Sequence, residues 1–128
     1  MKARRWFVVG ICAVAATALV ASSAIAHTKA FKTSAKITSG GPTGAKGKIG
    51  CPNGCPAKCK AGRTVTLFLK NGANGIPVGS DKTDAKGRWE IDAALTEGDY
   101  HVRVKGKVIR GHGHKHSCKA GRSPKVHL

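Results

Sequence analysis

Acidic residues are scarce in this chain and missing from most of it. Against 23 Lys and Arg stand only 6 Asp and Glu. All six, Asp81, Asp84, Glu90, Asp92, Glu97 and Asp99, fall within one short stretch. From His27 to Ser80 and again from Tyr100 to Leu128, Lys and Arg recur without a single carboxylate. Such a surface lacks internal counterions and attracts polyanions through a field that salt screens. Aromatic residues are equally thin, with 3 Phe, 2 Trp and 1 Tyr, so the core must rest on Val, Ile and Leu. A binder of single-stranded nucleic acid interleaves cations with stacking rings. Here Trp89 and Tyr100 read as core, which leaves Phe68 as the one outward ring on a strand and argues against nucleic acid as the partner. A helical period is missing beyond the first residues, and a long apolar run occurs only once.

That run is N-terminal. Lys2, Arg4 and Arg5 precede an uncharged stretch from Trp6 to Val20, and Ala24-Ile25-Ala26 offers small residues where a signal peptidase reads them. Residues 1–26 are therefore expected to be a cleaved signal peptide, with His27 as the mature N-terminus and a secreted or envelope-associated product. Loss of Lys2, Arg4 and Arg5 takes the formal charge from +17 to +14. After cleavage no transmembrane segment is expected. His27 could chelate copper through its amine and imidazole, but cleavage before a histidine by chance is the simpler account.

Export changes what the cysteines imply. Cys12 leaves with the signal, and Cys51, Cys55, Cys59 and Cys118 remain. Four cysteines in a short exported chain point to two disulfides, for which three pairings exist. Cys51-x3-Cys55-x3-Cys59 also resembles a metal knuckle, yet it lacks the second pair or histidines at matching spacing that zinc sites use.

Alternation supplies the fold class. Thr64–Lys70 places Val65, Leu67 and Leu69 on one face; Trp89 and Ile91 face inward between Arg88, Glu90 and Asp92; Tyr100, Val102 and Val104 share a face. Pro77 puts Ile76–Lys82 at a sheet edge. Phe31, Ala35 and Ile37 recur in a basic N-terminal segment, residues 27–44, with a possible first strand. Ser39–Gly44 reads as a turn or flexible link, Gly111–Ser117 as a loop, and Ser123–Leu128 as a final strand. Short strands between regular turn signals predict an all-β, antiparallel, Ig-like sandwich of about seven strands over residues 45–128.

GKIG, CKAGRTVTLFL, PVGSDKTDAKGRWEI, GDYHVRV and CKAGRSPKVHL follow one another in order. From Ala45 to Leu128 this resembles short secreted proteins of actinobacterial type related to carboxypeptidase-regulatory-like and transthyretin-like β-sandwiches. The resemblance implies an extracellular accessory or structural module without catalytic residues. It also implies a cysteine before the long strand and another before the last, matching Cys59 and Cys118. The expected bridges are then Cys59–Cys118 and, across the Pro-Asn-Gly turn, Cys51–Cys55. The repeated CKAGR marks two strand entrances, with Gly62 and Gly121 turning each lead-in and Arg63 and Arg122 in solvent.

Catalysis finds no footing. Asp84 belongs to a turn, Glu90 and Asp92 to an outward face, Glu97 and Asp99 to another turn, and Ser80, Ser117 and Ser123 to no nucleophile elbow. The protein is expected not to be an enzyme and to need no cofactor. Its expected partner is an anionic cell-wall polymer, polysaccharide or membrane surface, held by Arg63, Lys70, Arg103, Lys105, Lys107, Arg110, Lys119 and Arg122. The alternative is a secreted metal-binding protein, since His112, His114 and His116 alternate and could converge on Cu(II), Ni(II) or Zn(II). Two glycines, Lys115 and the lack of a nearby carboxylate weaken that site.

Overall fold

The computed structural model describes residues 28–128. The expected signal peptide, residues 1–26, and His27 lie outside the described residues. The described chain is all-β, with strands β1 Thr28–Phe31, β2 Ser34–Gly41, β3 Gly44–Gly50, β4 Thr64–Leu69, β5 Ile76–Lys82, β6 Arg88–Asp92, β7 Asp99–Val104, β8 Lys107–Gly111, β9 His114–Cys118, β10 Gly121–Arg122 and β11 Val126–His127. Among the described residues no helix is long and apolar enough to cross a membrane.

Two antiparallel sheets, β2-β3-β6 and β10-β7-β4-β5 with β11 also on β7, enclose one core. The alternation explains which side chains meet. Ala35, Ile37, Ala45, Ile49, Trp89 and Ile91 come from the first sheet, and Val65, Leu67, Tyr100, Val102 and Val104 from the second. Val65 begins the inward-facing run of β4, and Val126 and Leu128 pack partly buried against the core. Pro77 does lie on an edge strand, opposite Phe68 where the register shifts.

Four features depart from expectation. A third sheet, β1-β9-β8, sits beside the other two, and its β1–β9 pair is parallel. With the last strand divided into β10 and β11, it raises the expected seven strands to eleven among the described residues. Gly111–Ser117 is not a loop but most of a hairpin. His112 and Gly113 fill its turn with φ 46° and 74°, the two positive values that suit right-handed strand twist. The final strand is broken, because Ser123 Oγ accepts from the Val102 amide at 2.8 Å and Pro124 offers no donor. Likewise β2 runs through Ser39–Gly41, so only Pro42 and Thr43 turn the chain, and β2 pairs with β3 inside the core sheet.

At its end, β11 is tied down by charge. His127 meets Asp99 at 3.0 Å and Glu97 at 3.3 Å. The Asp99 hydrogen bond, then that of Glu97, holds the imidazole above its ordinary value of 6.5. The same bond holds Asp99 below 3.8. The His127 contribution is thus complete below pH 6.5 and lost as pH rises through its raised folded value. That of Asp99 is present above pH 3.8 and lost as pH falls through its depressed one. An NMR titration should find His127 with a midpoint above the ordinary histidine value, and Asp99→Asn should bring it back down. An unchanged midpoint in that variant would show the pair to be a passing contact.

Candidate functional site

Several of the carboxylates are committed to local structure. Asp84 holds its turn by accepting from the Lys86 and Arg88 amides and pairs with the Arg88 side chain at 2.8 Å. Asp81 accepts from the Glu90 amide at 2.8 Å. Among the described residues the ion pairs engage Arg88 and His127, leaving most of the lysines and arginines without a carboxylate partner.

The strand register sets like charges directly opposite each other. Arg103 of β7 pairs with Arg122 of β10. Lys36 of β2 faces Lys48 of β3, which faces Arg88 of β6. Arg110 of β8 faces Lys115 of β9. Opposed like charges destabilise a sheet by a few tenths of a kcal/mol each, roughly as much as opposite charges help. Stability alone does not account for placing them so.

The Arg103 row is the most developed. The outer face of β4, β7 and β10 carries a groove of about 460 Å³ lined by Thr66, Phe68, Arg103, Lys105 and Arg122. The Arg103 guanidinium lies over the Phe68 ring, 4.6 Å from its centre, and donates to the Asn74 carbonyl at 3.2 Å. Phe68 in turn stacks on His101, with centroids 5.4 Å apart and planes 10° apart. His101 is 2% exposed, and among the described residues neither of its ring nitrogens has a hydrogen-bond partner. Burial first, then the charges of Arg122 and Arg103, push its pKa down. It is therefore a neutral ring that positions Phe68. The larger cleft between β5 and β6, about 560 Å³, mixes Lys46, Lys48 and Arg88 with Asp81, Asp84 and Glu90, so it lacks this single sign.

The eight expected anion-binding residues divide. Arg103, Lys105 and Arg122 converge on the groove. Lys70 is exposed beside Lys125, whose ammonium lowers its pKa through hydrogen-bond and Coulomb effects. Arg110 and Lys119 are exposed elsewhere, and Lys107 donates to the Ala61 carbonyl at 3.1 Å. Arg63 is the correction. It is 1% exposed, and its guanidinium donates to the carbonyls of Cys59, Lys105 and Lys119 and to Thr33 Oγ1. Of the paired CKAGR glycines, Gly62 turns the chain at φ 64°. Gly121 instead allows close passage, since a Cβ there would stand 2.6 Å from the Thr33 carbonyl.

Cys51–Cys55 and Cys59–Cys118 are both bridged, with Cα separations of 6.1 and 5.4 Å. Of the three alternating histidines, His114 and His116 share a face with ring centres 6.2 Å apart, while His112 occupies the turn. His101, the Lys36–Lys48 pair and Lys115 are the functional candidates that sequence reasoning missed. His101 sits at an outward position of its strand, and a charge pair needs a register to be seen. Compared with known proteins, the chain matches no family model, no curated protein and no solved structure.

Proposed function

We propose that this protein is an extracellular, non-catalytic module that binds anionic polymers through the outer face of β4, β7 and β10. The carrying observation is the Arg103–Arg122 pair, two guanidiniums opposed across neighbouring strands with Lys105 beside them and Phe68 beneath Arg103. Neighbouring strands lie about 4.8 Å apart, so the two cations present a spacing suited to successive anions of a chain. Guanidinium forks bind carboxylate and phosphate bidentately, and an aromatic underside holds one fork in place. A transthyretin-like or carboxypeptidase-regulatory-like scaffold fits this reading, because such sandwiches leave a sheet face free.

The test is retention on isolated cell wall and on a soluble polycarboxylate across a salt series. Arg103→Glu with Arg122→Glu should weaken binding about 30-fold at low salt, two attractions lost and two repulsions gained at roughly 0.5 kcal/mol each. Lys36→Glu with Lys48→Glu should weaken it far less. Equal losses from both pairs would assign binding to overall charge, and salt-independent retention would remove the electrostatic mechanism altogether.

A further inference from the structure

Four sulfur atoms converge at one place in the second, smaller core. The local chain brings three of them together. Cys51 follows β3, the Pro52–Gly54 turn returns through the Cys55 amide to the Pro52 carbonyl at 3.1 Å, and Pro56 leads into the 3-10 turn Ala57–Cys59. The Sγ atoms of Cys51, Cys55 and Cys59 all lie within 4.8 Å of one another. Cys118 arrives from β9 and is bonded to Cys59, with its Cα 5.4 Å away. Phe31 and Ile109 pack against the cluster. The Arg63 guanidinium reaches the Cys59 carbonyl at 2.6 Å, and Lys58, Lys60 and Lys119 neighbour the cysteines in sequence.

The Cys51–Cys55 bridge adds little as a staple. In the chain-entropy treatment so small a loop gains about 2 kcal/mol, against about 4 kcal/mol for the long loop closed by Cys59–Cys118. Its position, with both sulfurs against a second disulfide, has a different chemical consequence. Tetrahedral Zn(II) bound by thiolates has bonds of about 2.3 Å, which places its sulfurs roughly 3.8 Å apart. The Cys51 and Cys55 sulfurs, about 2.0 Å apart while bonded, need separate by roughly 1.8 Å once reduced to reach that geometry. The Cys59 sulfur, within 4.8 Å of both, need draw in by no more than about 1 Å, and opening the Cys59–Cys118 bond frees the fourth beside them. Gaps of three residues fall within the range found between zinc ligands, and the surrounding cations favour thiolate over thiol.

We propose that the reduced chain holds one Zn(II) in a four-thiolate site made by Cys51, Cys55, Cys59 and Cys118. A dithiol reductant gives two electrons and two protons to each bridge and itself becomes a disulfide. The four resulting thiols then release four protons to solvent as the metal binds, leaving a zinc–tetrathiolate of charge −2 among Arg63 and the lysines. The protein is thereby cross-linked at the same point in both redox states, by two disulfides or by one metal. This site is separate from the groove at Arg103 and Arg122 and does not depend on the function proposed for it.

The experiment uses the full chain, reduced with a phosphine under argon, desalted, and titrated with Co(II) and then Zn(II). One Co(II) per chain should bind with thiolate charge-transfer and tetrahedral ligand-field absorption, and Zn(II) should displace it. Peptide-mapped alkylation should spare the four cysteines only in the zinc form, with the reduced metal-free protein as the alkylated reference. Cys118→Ser should weaken Zn(II) binding by more than the about 10-fold that loss of an outer-shell partner costs, whereas His114→Ala with His116→Ala should leave it unchanged. Absence of stoichiometric binding overturns the proposal, as does binding that survives Cys118→Ser or disappears with the histidines. Should Cys118→Ser not fold, alkylation of the unaltered chain decides alone. Should the reduced chain unfold, zinc must refold it, and failure to do so counts against the site.

Discussion

Replacing Cys59 and Cys118 together by alanine should lower the unfolding free energy by about 4 kcal/mol, the chain-entropy gain for a loop of this length. The bridge spans 59 positions of sequence, and both cysteines are buried beside Phe31 in the second core. A small domain has only about 5–15 kcal/mol in all, so this is the difference between a robust fold and a marginal one. The loss should appear first in the third sheet. β1, β8 and β9 share no ladder with the main sheets, and the bridge fastens β9 to the turn preceding β4. Amide exchange at residues 107–118 should therefore accelerate before that of β4 or β7. Urea unfolding of the double variant should show a lower midpoint. The companion variant lacking Cys51 and Cys55 should lose about 2 kcal/mol, as its smaller loop dictates. Equal losses in the two variants would mean that loop closure is not what the Cys59–Cys118 bridge provides.

How much of this was legible in the sequence follows from how local each feature is. Period-two alternation marked the inward residues of β4, β6 and β7, because burial on one face writes itself directly into neighbouring positions. Pro77 announced an edge because it lacks a ladder donor. Both bridges were anticipated through a family resemblance, since spacing alone leaves three pairings open. The third sheet was not anticipated. Its β1–β9 ladder joins Thr28 to Lys115, and no local pattern announces a parallel pair between such distant segments. Polar composition disguised β9, although His112-Gly113 is the kind of dipeptide that a two-residue hairpin turn demands. The groove was legible only as a list of cations. That Arg103 meets Arg122 and overlies Phe68 depends on register, which is fixed by the inward-facing residues rather than by the charges themselves.

Charge segregation takes on a structural meaning from the same register. Asp81, Asp84 and Asp99 satisfy backbone amides or the terminal histidine at the ends of β5, β6 and β7. Their clustering in sequence thus reflects turn chemistry in one region of the fold. The cationic remainder keeps three rows of like charges that a sheet selected for stability alone would interleave with carboxylates. On the proposed reading, weak repulsion in the free protein is relieved when an anion neutralises these rows. Binding an anion at Arg103 and Arg122 should accordingly raise stability as well as occupy the groove.

Arg63→Met should cost about 3 kcal/mol, because it leaves buried carbonyls without donors, each worth roughly 1–3 kcal/mol before water relieves part of the loss. The carbonyls of Cys59, Lys105 and Lys119 converge on this guanidinium at 2.6–3.2 Å. Thr33 Oγ1 completes the cage at 3.2 Å. The fork therefore binds the residues before β4, after β7 and before β10 to the β1–β2 junction, and Lys119 belongs to the second CKAGR. No carboxylate shares the cage. Carbonyl dipoles and one hydroxyl carry a cation whose pKa burial lowers. Arg63→Lys should recover less than half of the loss, since an ammonium has no planar fork with which to reach the several acceptors. The second pentapeptide provides the internal comparison. Arg122 is exposed, and Arg122→Met should change stability by less than about 0.5 kcal/mol. Equal effects from the two substitutions would overturn the division of labour. A large and unequal one would establish that two identical pentapeptides place their arginines in opposite roles, one inside as a clamp and one exposed to solvent.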